Sequence, residues 1–253
     1  MRVFFGFILV LALFWMPVDT LAESHQVGGE IHLSDSEPIS DDDLWGPEEV
    51  GMEVSDPLEP WNRLMFAVND IFYHALLKPV SQLYGFIIPE FGRVGIRNAF
   101  HNLTMPQHFL NALLQGKGTL AARELGRFGI NSTLGILGLM DIAESRFGMP
   151  SGDEDFGQTM GAWGIGDSLY LVWPLIGPSN LRDSVGLVGD AAVNPFTYVP
   201  EDSHARAGIF ALKVVNNTSL RIGEYEALKE SAIDPYVSLR DAYLQLRRRQ
   251  ITE

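Results

Sequence analysis

Residues 134–143, Leu134-Gly135-Ile136-Leu137-Gly138-Leu139-Met140-Asp141-Ile142-Ala143, are apolar on every side and broken twice by glycine. The segment is far shorter than the ~20 residues a helix needs to cross a bilayer. It lies where helical stretches meet, and helices of a soluble domain are ordinarily joined by polar loops. A connection this greasy is buried, covers a cavity or contacts lipid. Residues 169–177, Leu-Tyr-Leu-Val-Trp-Pro-Leu-Ile-Gly, repeat the oddity. Pro174 and poor alternation predict one short strand or a buried extended segment there.

The rest reads as helix. Asp56 is a candidate cap for a helix over 57–77, where Trp61, Leu64, Met65, Val68, Ile71, Phe72, Ala75 and Leu76 recur at helical steps. Pro79 predicts a stop and a new helix with Val80, Leu83, Tyr84, Ile87 and Ile88 on one face. Phe91, Val94, Ala99, Phe100 and Leu103 suggest another, and Thr104 with Pro106 starts one that Gly116 and Gly118 stop. Thr119 is the expected cap of the next, with Leu125 and Phe128 inward. Beyond Pro178 a short helix spans 180–192, Ser203 caps a longer one, and 220–231 forms another. Asp234-Pro235 is a cap followed by a first helical residue, and Tyr236, Leu239, Tyr243 and Leu246 make the stripe. Arg247-Arg248-Arg249 stands where cations suit a helix C-terminus. The fold class expected is mainly α with glycine-rich apolar connections and at most a short strand or hairpin.

The chain opens with one Arg, an apolar run from Val3 to Met16, Pro17 and the small residues before Glu23. That pattern predicts a cleaved signal peptide over 1–22. Glu23 to Asp56 hold eleven carboxylates and no Lys or Arg, so 23–55 read as an acidic, self-repelling leader. From Pro57 on, twenty acidic face seventeen basic residues, so the formal charge of −14 belongs largely to the leader. No basic stripe for nucleic acid is present. There is no cysteine, which excludes disulfides, thiolate catalysis and Cys-ligated metal.

Five motifs carry possible chemistry. Gly166-Asp167-Ser168-Leu169 matches the nucleophile block of GDSL esterases, but the only downstream histidine, His204, follows Glu201 rather than the Asp of a DxxH block. Asp155-Phe156-Gly157 lacks the other kinase blocks. His101 and His108 are seven apart with no carboxylate spaced to complete a metal site, so no metal and no cofactor is expected. Asn102, Asn131, Asn216 and Asn217 head Asn-x-Ser/Thr triplets. Arg123 and Arg127 share a helix face and pose two readings, a structural ion pair or a contact to an anionic head group.

The blocks DPLEPWNRLMF (56–66), RFGINSTLGILGLMDIA (127–143), EDFGQTMGAWGIG (154–166), LYLVWPLIGPSNLRD (169–183) and DPYVSLRDAYLQ (234–245) run in the order found in the MlaA (VacJ) family of Gram-negative outer-membrane proteins, and together closely resemble it. The resemblance covers 56–246 and leaves 247–253 as a basic end. It implies a ring-shaped helical protein embedded in the inner leaflet of the outer membrane, on the periplasmic side. It implies an amphipathic channel that takes misplaced phospholipids from the outer leaflet and passes them to a soluble periplasmic lipid carrier (MlaC-like), with a trimeric porin as partner. No covalent step is implied, so the expectation is a transporter and not an enzyme. A Ser168 esterase and a structural porin-associated protein are the alternatives. In that frame Leu134, Ile136, Leu137, Leu139 and Met140 are candidates for the lipid path or its gate, Gly135, Gly138, Gly164 and Gly166 for hinges, and Arg123 and Arg127 for head-group contacts. Family members carry a lipobox cysteine, and this sequence has none.

Overall fold

The computed structural model describes residues 55–166 and 168–252. The signal peptide and acidic leader expected over 1–55 fall almost wholly outside the described residues. The elements are α1 Glu59–Phe72, a π-helical turn Tyr73–Leu77, α2 Lys78–Ile87, α3 Glu90–Leu103, α4 Met105–Leu114, α5 Gly118–Thr133, α6 Ile142–Phe147, α7 Phe156–Ala162, β1 Tyr170–Trp173, β2 Gly177–Asn180, α8 Leu181–Val193, a 3-10 turn Pro195–Thr197, α9 Ser203–Leu220, α10 Glu224–Ser231 and α11 Pro235–Thr252. Among the described residues no helix is long and apolar enough to cross a membrane.

Pro79 does not break the first helix. The π turn widens the backbone ahead of it, and the Lys78 amide reaches back five residues to the Tyr73 carbonyl. The proline ring would otherwise press on the carbonyl four residues earlier. The extra residue also carries the apolar stripe on, from Ile71 to Leu76 to Val80. Asp56 is not the cap; Leu58 holds that position without a side-chain bond, and Pro60 sits in the first turn. Other boundaries shift similarly. Lys117 precedes α5, so Thr119 lies inside it. Asp202 rather than Ser203 caps α9, accepting from the His204 and Ala205 amides. The 220–231 segment is split: Leu220 ends α9, 221–223 turn, and Glu224–Ser231 form α10. Asp234 does cap α11, accepting from the Tyr236 and Val237 amides at 3.0 and 3.2 Å.

The stripes of α1, α2, α4 and α5 face out. Trp61, Leu64, Val68 and Ile71 on α1, Val80, Leu83, Phe86 and Ile87 on α2, Leu110, Leu113 and Leu114 on α4, and Leu125 on α5 are exposed. Leu125, expected inward, is thus a correction. The buried side of α1 is polar: Asn62, Asn69 and one methionine, Met65. Among the described residues buried polar side chains outnumber buried hydrophobic ones. One apolar cluster forms from Tyr73, Leu77 and Val214, backed by Phe72, Phe210, Val215 and Tyr225. In α11 the arrangement is the ordinary one, with Tyr236, Tyr243 and Leu246 buried.

Amide side chains do the joining that apolar contacts do elsewhere, because a buried polar group is stable only when hydrogen-bonded. Residues 170–180 form a hairpin rather than a single strand, with Tyr170 opposite Asn180 and Trp173 opposite Gly177. Asn62 accepts from the Val172 amide at 2.8 Å and donates to the Tyr170 carbonyl at 3.2 Å. Two turns on, Asn69 donates to the Trp173 carbonyl at 2.9 Å and accepts from the Leu175 amide. These two residues complete the free edge of β1. Asn216 does the same between helices, accepting from the Tyr84 hydroxyl and donating to the Arg93 carbonyl, each at 2.9 Å.

Candidate functional site

The loop from Leu134 to Met140 inverts the usual pattern. Its glycines are buried and its large side chains are outside: Leu134, Ile136, Leu137, Leu139 and Met140 are all exposed, Leu137 at 77%. Backbone bonds fold it back on α5, from the Gly138 amide to the Asn131 carbonyl at 2.8 Å and from the Met140 amide to the Gly135 carbonyl at 2.9 Å. Gly138 has φ +89°, and a methyl group there would meet the Asn102 side chain at 2.6 Å. Ile136 and Leu137 also adopt positive φ, 53° and 57°. For a β-branched residue this is an outlier, costing about 1–3 kcal/mol. The chain accepts strain to present five apolar side chains outward. The other hinge candidates differ: Gly164 has φ +91°, while Gly166 neither adopts positive φ nor is crowded.

The foot of the loop is a polar clamp. Asp141 caps α6, accepting from the Glu144 amide at 3.1 Å, and binds Asn131 at 2.9 Å and Arg127 at 2.6 Å. Burial pushes the Asp141 carboxyl up, but hydrogen bonds from Asn131 and Arg127 outweigh it and hold it below its ordinary range. Arg127 is buried, donates also to the Met149 carbonyl and faces Glu124 at 3.8 Å. Its head-group role is therefore corrected to the structural ion pair; its donors are already spent inside. Arg123 is half-buried and makes no ion pair among the described residues.

Ser168 holds a helix. Its hydroxyl donates to Asn180 at 3.3 Å and accepts from the Arg182 amide at 2.9 Å, beside the Asn180 cap of α8. Neither partner is a base. Asp167 lies outside the described residues.

A buried charge cluster ties α7, α8 and α11 together. Arg247 grips Asp155 at 2.6 and 2.9 Å and Asp183 at 2.7 and 2.9 Å, and the Tyr243 hydroxyl donates to Asp183. Arg247 is thus interior, not part of a solvated basic end, and α11 continues through it to Thr252. Gly157 and Gly186 allow the close approach; a methyl group on Gly186 would sit 2.5 Å from the Gly157 nitrogen. Nearby, Asp190 accepts from Asn111 at 2.9 Å and from the Phe156 amide at 3.1 Å. Burial, then the Asp155 charge, pushes its carboxyl up to about 7.

His101 on α3 and His108 on α4 stack, ring centroids 5.2 Å apart. Asp153, which no local spacing could reveal, comes to 3.5 Å from His101 Nδ1. The expectation of no completing carboxylate is corrected: the third group arrives by tertiary folding. Burial drives the His101 imidazole down to about 4, against the pull of Asp153.

The polar pins were missed by periodicity. Asn62 and Asn69 lie seven apart opposite the apolar stripe, which is the signal that could have found them. The Asn-x-Ser/Thr asparagines Asn102, Asn131, Asn216 and Asn217 are buried, and the first three hydrogen-bond within the fold.

A mainly helical protein with amide-pinned interior, apolar outer faces and an apolar loop over a polar clamp is of the class whose outer surface meets a membrane or a partner protein. A family model described as MlaA lipoprotein matches residues 54–250, and the chain belongs to that family. An uncharacterised protein of Rickettsia conorii is 31% identical over 80% of each chain. The intermembrane phospholipid transport system lipoprotein MlaA of Escherichia coli K12 is 29% identical over 76% of each chain, and its counterpart of that name in Haemophilus influenzae is 29% identical over 76% of this chain and 78% of its own. A solved structure from work on the structural basis for maintenance of bacterial outer membrane lipid asymmetry superposes with TM-score 0.65 at 28% identity, covering 78% of this chain and 99% of the other. The Escherichia coli and Haemophilus influenzae relatives are named for lipid transport, not for catalysis. They are named lipoproteins, whereas this sequence contains no cysteine.

Proposed function

We propose that the protein removes misplaced phospholipids from the outer leaflet of the Gram-negative outer membrane and hands them to a soluble periplasmic carrier, maintaining lipid asymmetry. The observation that carries this reading is the inversion of polarity: apolar stripes outside, hydrogen-bonded polar side chains inside. Such a body sits in one leaflet by its outer faces, in the manner of an interfacial amphipathic helix. Its polar interior then suits a head group while an apolar edge suits acyl chains. The loop carrying Leu134, Ile136, Leu137, Leu139 and Met140 is the proposed gate. Gly138 and Gly164 are the bending points their conformations favour. Arg123, half-buried and without an ion pair among the described residues, is the remaining head-group candidate.

A trimeric porin is the proposed partner on the apolar flank. The outer faces are the proposed anchor, since this sequence has no cysteine to carry a lipid.

Protein purified in mild detergent is expected to retain phospholipid, detected by extraction and mass spectrometry. A deletion strain is expected to accumulate phospholipid in the outer leaflet. Recovery of a lipid-free protein from the soluble periplasm refutes the proposal. Normal outer-leaflet phospholipid in the deletion strain would instead leave a structural porin-associated role.

A further inference from the structure

The polar interior holds a cluster that lipid transport does not use. His101, His108 and Asp153 each offer a ligand atom, and these lie within 4.8 Å of one another. Zinc-type ions bind imidazole and carboxylate at about 2.0–2.2 Å, so tetrahedral neighbours stand roughly 3.4 Å apart. The pair His101 Nδ1 and Asp153 Oδ1, at 3.5 Å, already has that spacing. A side-chain adjustment of about an ångström brings in the third ligand. We propose that His101, His108 and Asp153 form a three-ligand site for a borderline divalent transition ion of the zinc type, with a further coordination position left open.

Three observations support it. Among the described residues Asp153 Oδ1 is shielded from solvent yet accepts no hydrogen bond. A buried acceptor left so is uncommon and asks for a donor, a water or a cation. His108 carries the supporting contact typical of a metal-bound imidazole. Its Nδ1 lies 3.0 Å from the Glu154 carbonyl, which can only accept, so Nδ1 bears a proton and the neutral imidazole that binds metal offers its electron pair at Nε2. Nε2 faces the Thr104 hydroxyl at 3.2 Å, and that hydroxyl has the His101 carbonyl at 2.9 Å and the Phe100 carbonyl at 3.2 Å as other acceptors. An ion at Nε2 therefore strands no donor. Glu154 in turn is held by Lys117 at 2.9 Å and Gln115 at 2.6 Å, which fixes the backbone beside Asp153.

The donor set names the ion class. Two imidazoles and one carboxylate suit zinc, iron(II), cobalt or nickel, and not magnesium or calcium, which take oxygen ligands. The Lys213 ammonium, which feels the Asp153 charge, opposes a cation there. A bound ion would clip α3 and α4 to the connection before α7. The inference stands apart from lipid transport, and its readouts involve no lipid.

The test uses the full chain, tag-free, in mild detergent and stripped with chelator. It is titrated with zinc chloride, and separately with cobalt chloride to read ligand-field bands. The variants are His101→Gln and Asp153→Asn, chosen because both side chains are partly exposed, and His204→Gln is the control. One zinc per chain is expected, weakened at least tenfold by either variant and unchanged in the control. Zinc should raise the melting temperature of the parent and not of the two variants. The acidic leader with His25 and His32 gives a background that all variants share. No saturable one-to-one binding, or binding indifferent to both substitutions, overturns the proposal. Should a variant misfold, the cobalt-loaded parent decides: paramagnetically shifted proton resonances from two imidazoles support the site, and their absence overturns it.

Discussion

Truncating the outer apolar face should detach the protein from lipid without harming its fold. Phe86 and Ile87 at the end of α2 and Phe91 at the start of α3 are 89%, 64% and 82% exposed. Fully removing such a side chain from water stabilises by about 1.5–3 kcal/mol. Changing all three to Ala at these exposures removes roughly 5 kcal/mol of transfer into a bilayer interface. At ~1.4 kcal/mol per tenfold, partitioning should fall by three to four orders of magnitude. Because these side chains are largely exposed, thermal unfolding in detergent should shift little. The assay is dilution from detergent into vesicles of phosphatidylethanolamine and phosphatidylglycerol, with bound fraction read by flotation across a lipid series. A triple variant that partitions within tenfold of the parent refutes the assignment of this face to lipid. A triple variant that no longer folds would show the face to be packed against the body, which refutes it equally.

Three further outcomes follow from the interior and the loop. Asn62→Leu leaves the Val172 amide and Tyr170 carbonyl buried and unpaired, at about 1–3 kcal/mol each, so denaturant unfolding should show a loss of roughly 2–5 kcal/mol although the substitution is apolar. Replacing Ile136 and Leu137 together by Gly relieves two positive-φ residues, so the melting temperature should hold or rise, while proposed gate function, read as outer-leaflet phospholipid, should fall. The Asp190 carboxyl titrates at about 7 in the fold against an ordinary 3.8. As pH rises from about 4 to about 7 the unfolded chain ionises first, so this group costs stability across that window and adds no slope outside it. Asp190→Asn should flatten the stability profile over that range, measured by chemical unfolding at several pH values; an unaltered slope contradicts the raised carboxyl.

Much of the helical framework could be read from the chain. Caps such as Asp234-Pro235 act through neighbouring amides, and glycine stops act through local backbone freedom, so sequence proximity contains the needed information. The helical stripes were equally visible, as was the oddity of residues 134–143. Periodicity says that a helix has an apolar face, however, and not which medium that face meets. Leu125 and the α1 stripe were legible as stripes and illegible as outward-facing. Pro79 failed as a stop signal because a π turn, set by the packing of Tyr73 and Leu77 against Val214, absorbed it.

The amino-acid sequence by itself determined that the body is helical, nearly neutral, without cysteine, and joined by connections too apolar for water. Those properties rest on composition and on contacts within a few residues. Only the tertiary structure decided that asparagines hold the interior, that Arg127 and Arg247 are structural, and that Ser168 steadies a helix start. It alone brought Asp153 to the two histidines. Each of these depends on pairing across about a dozen to more than a hundred residues, where the cost of burying a polar group is met by a partner that no local pattern names.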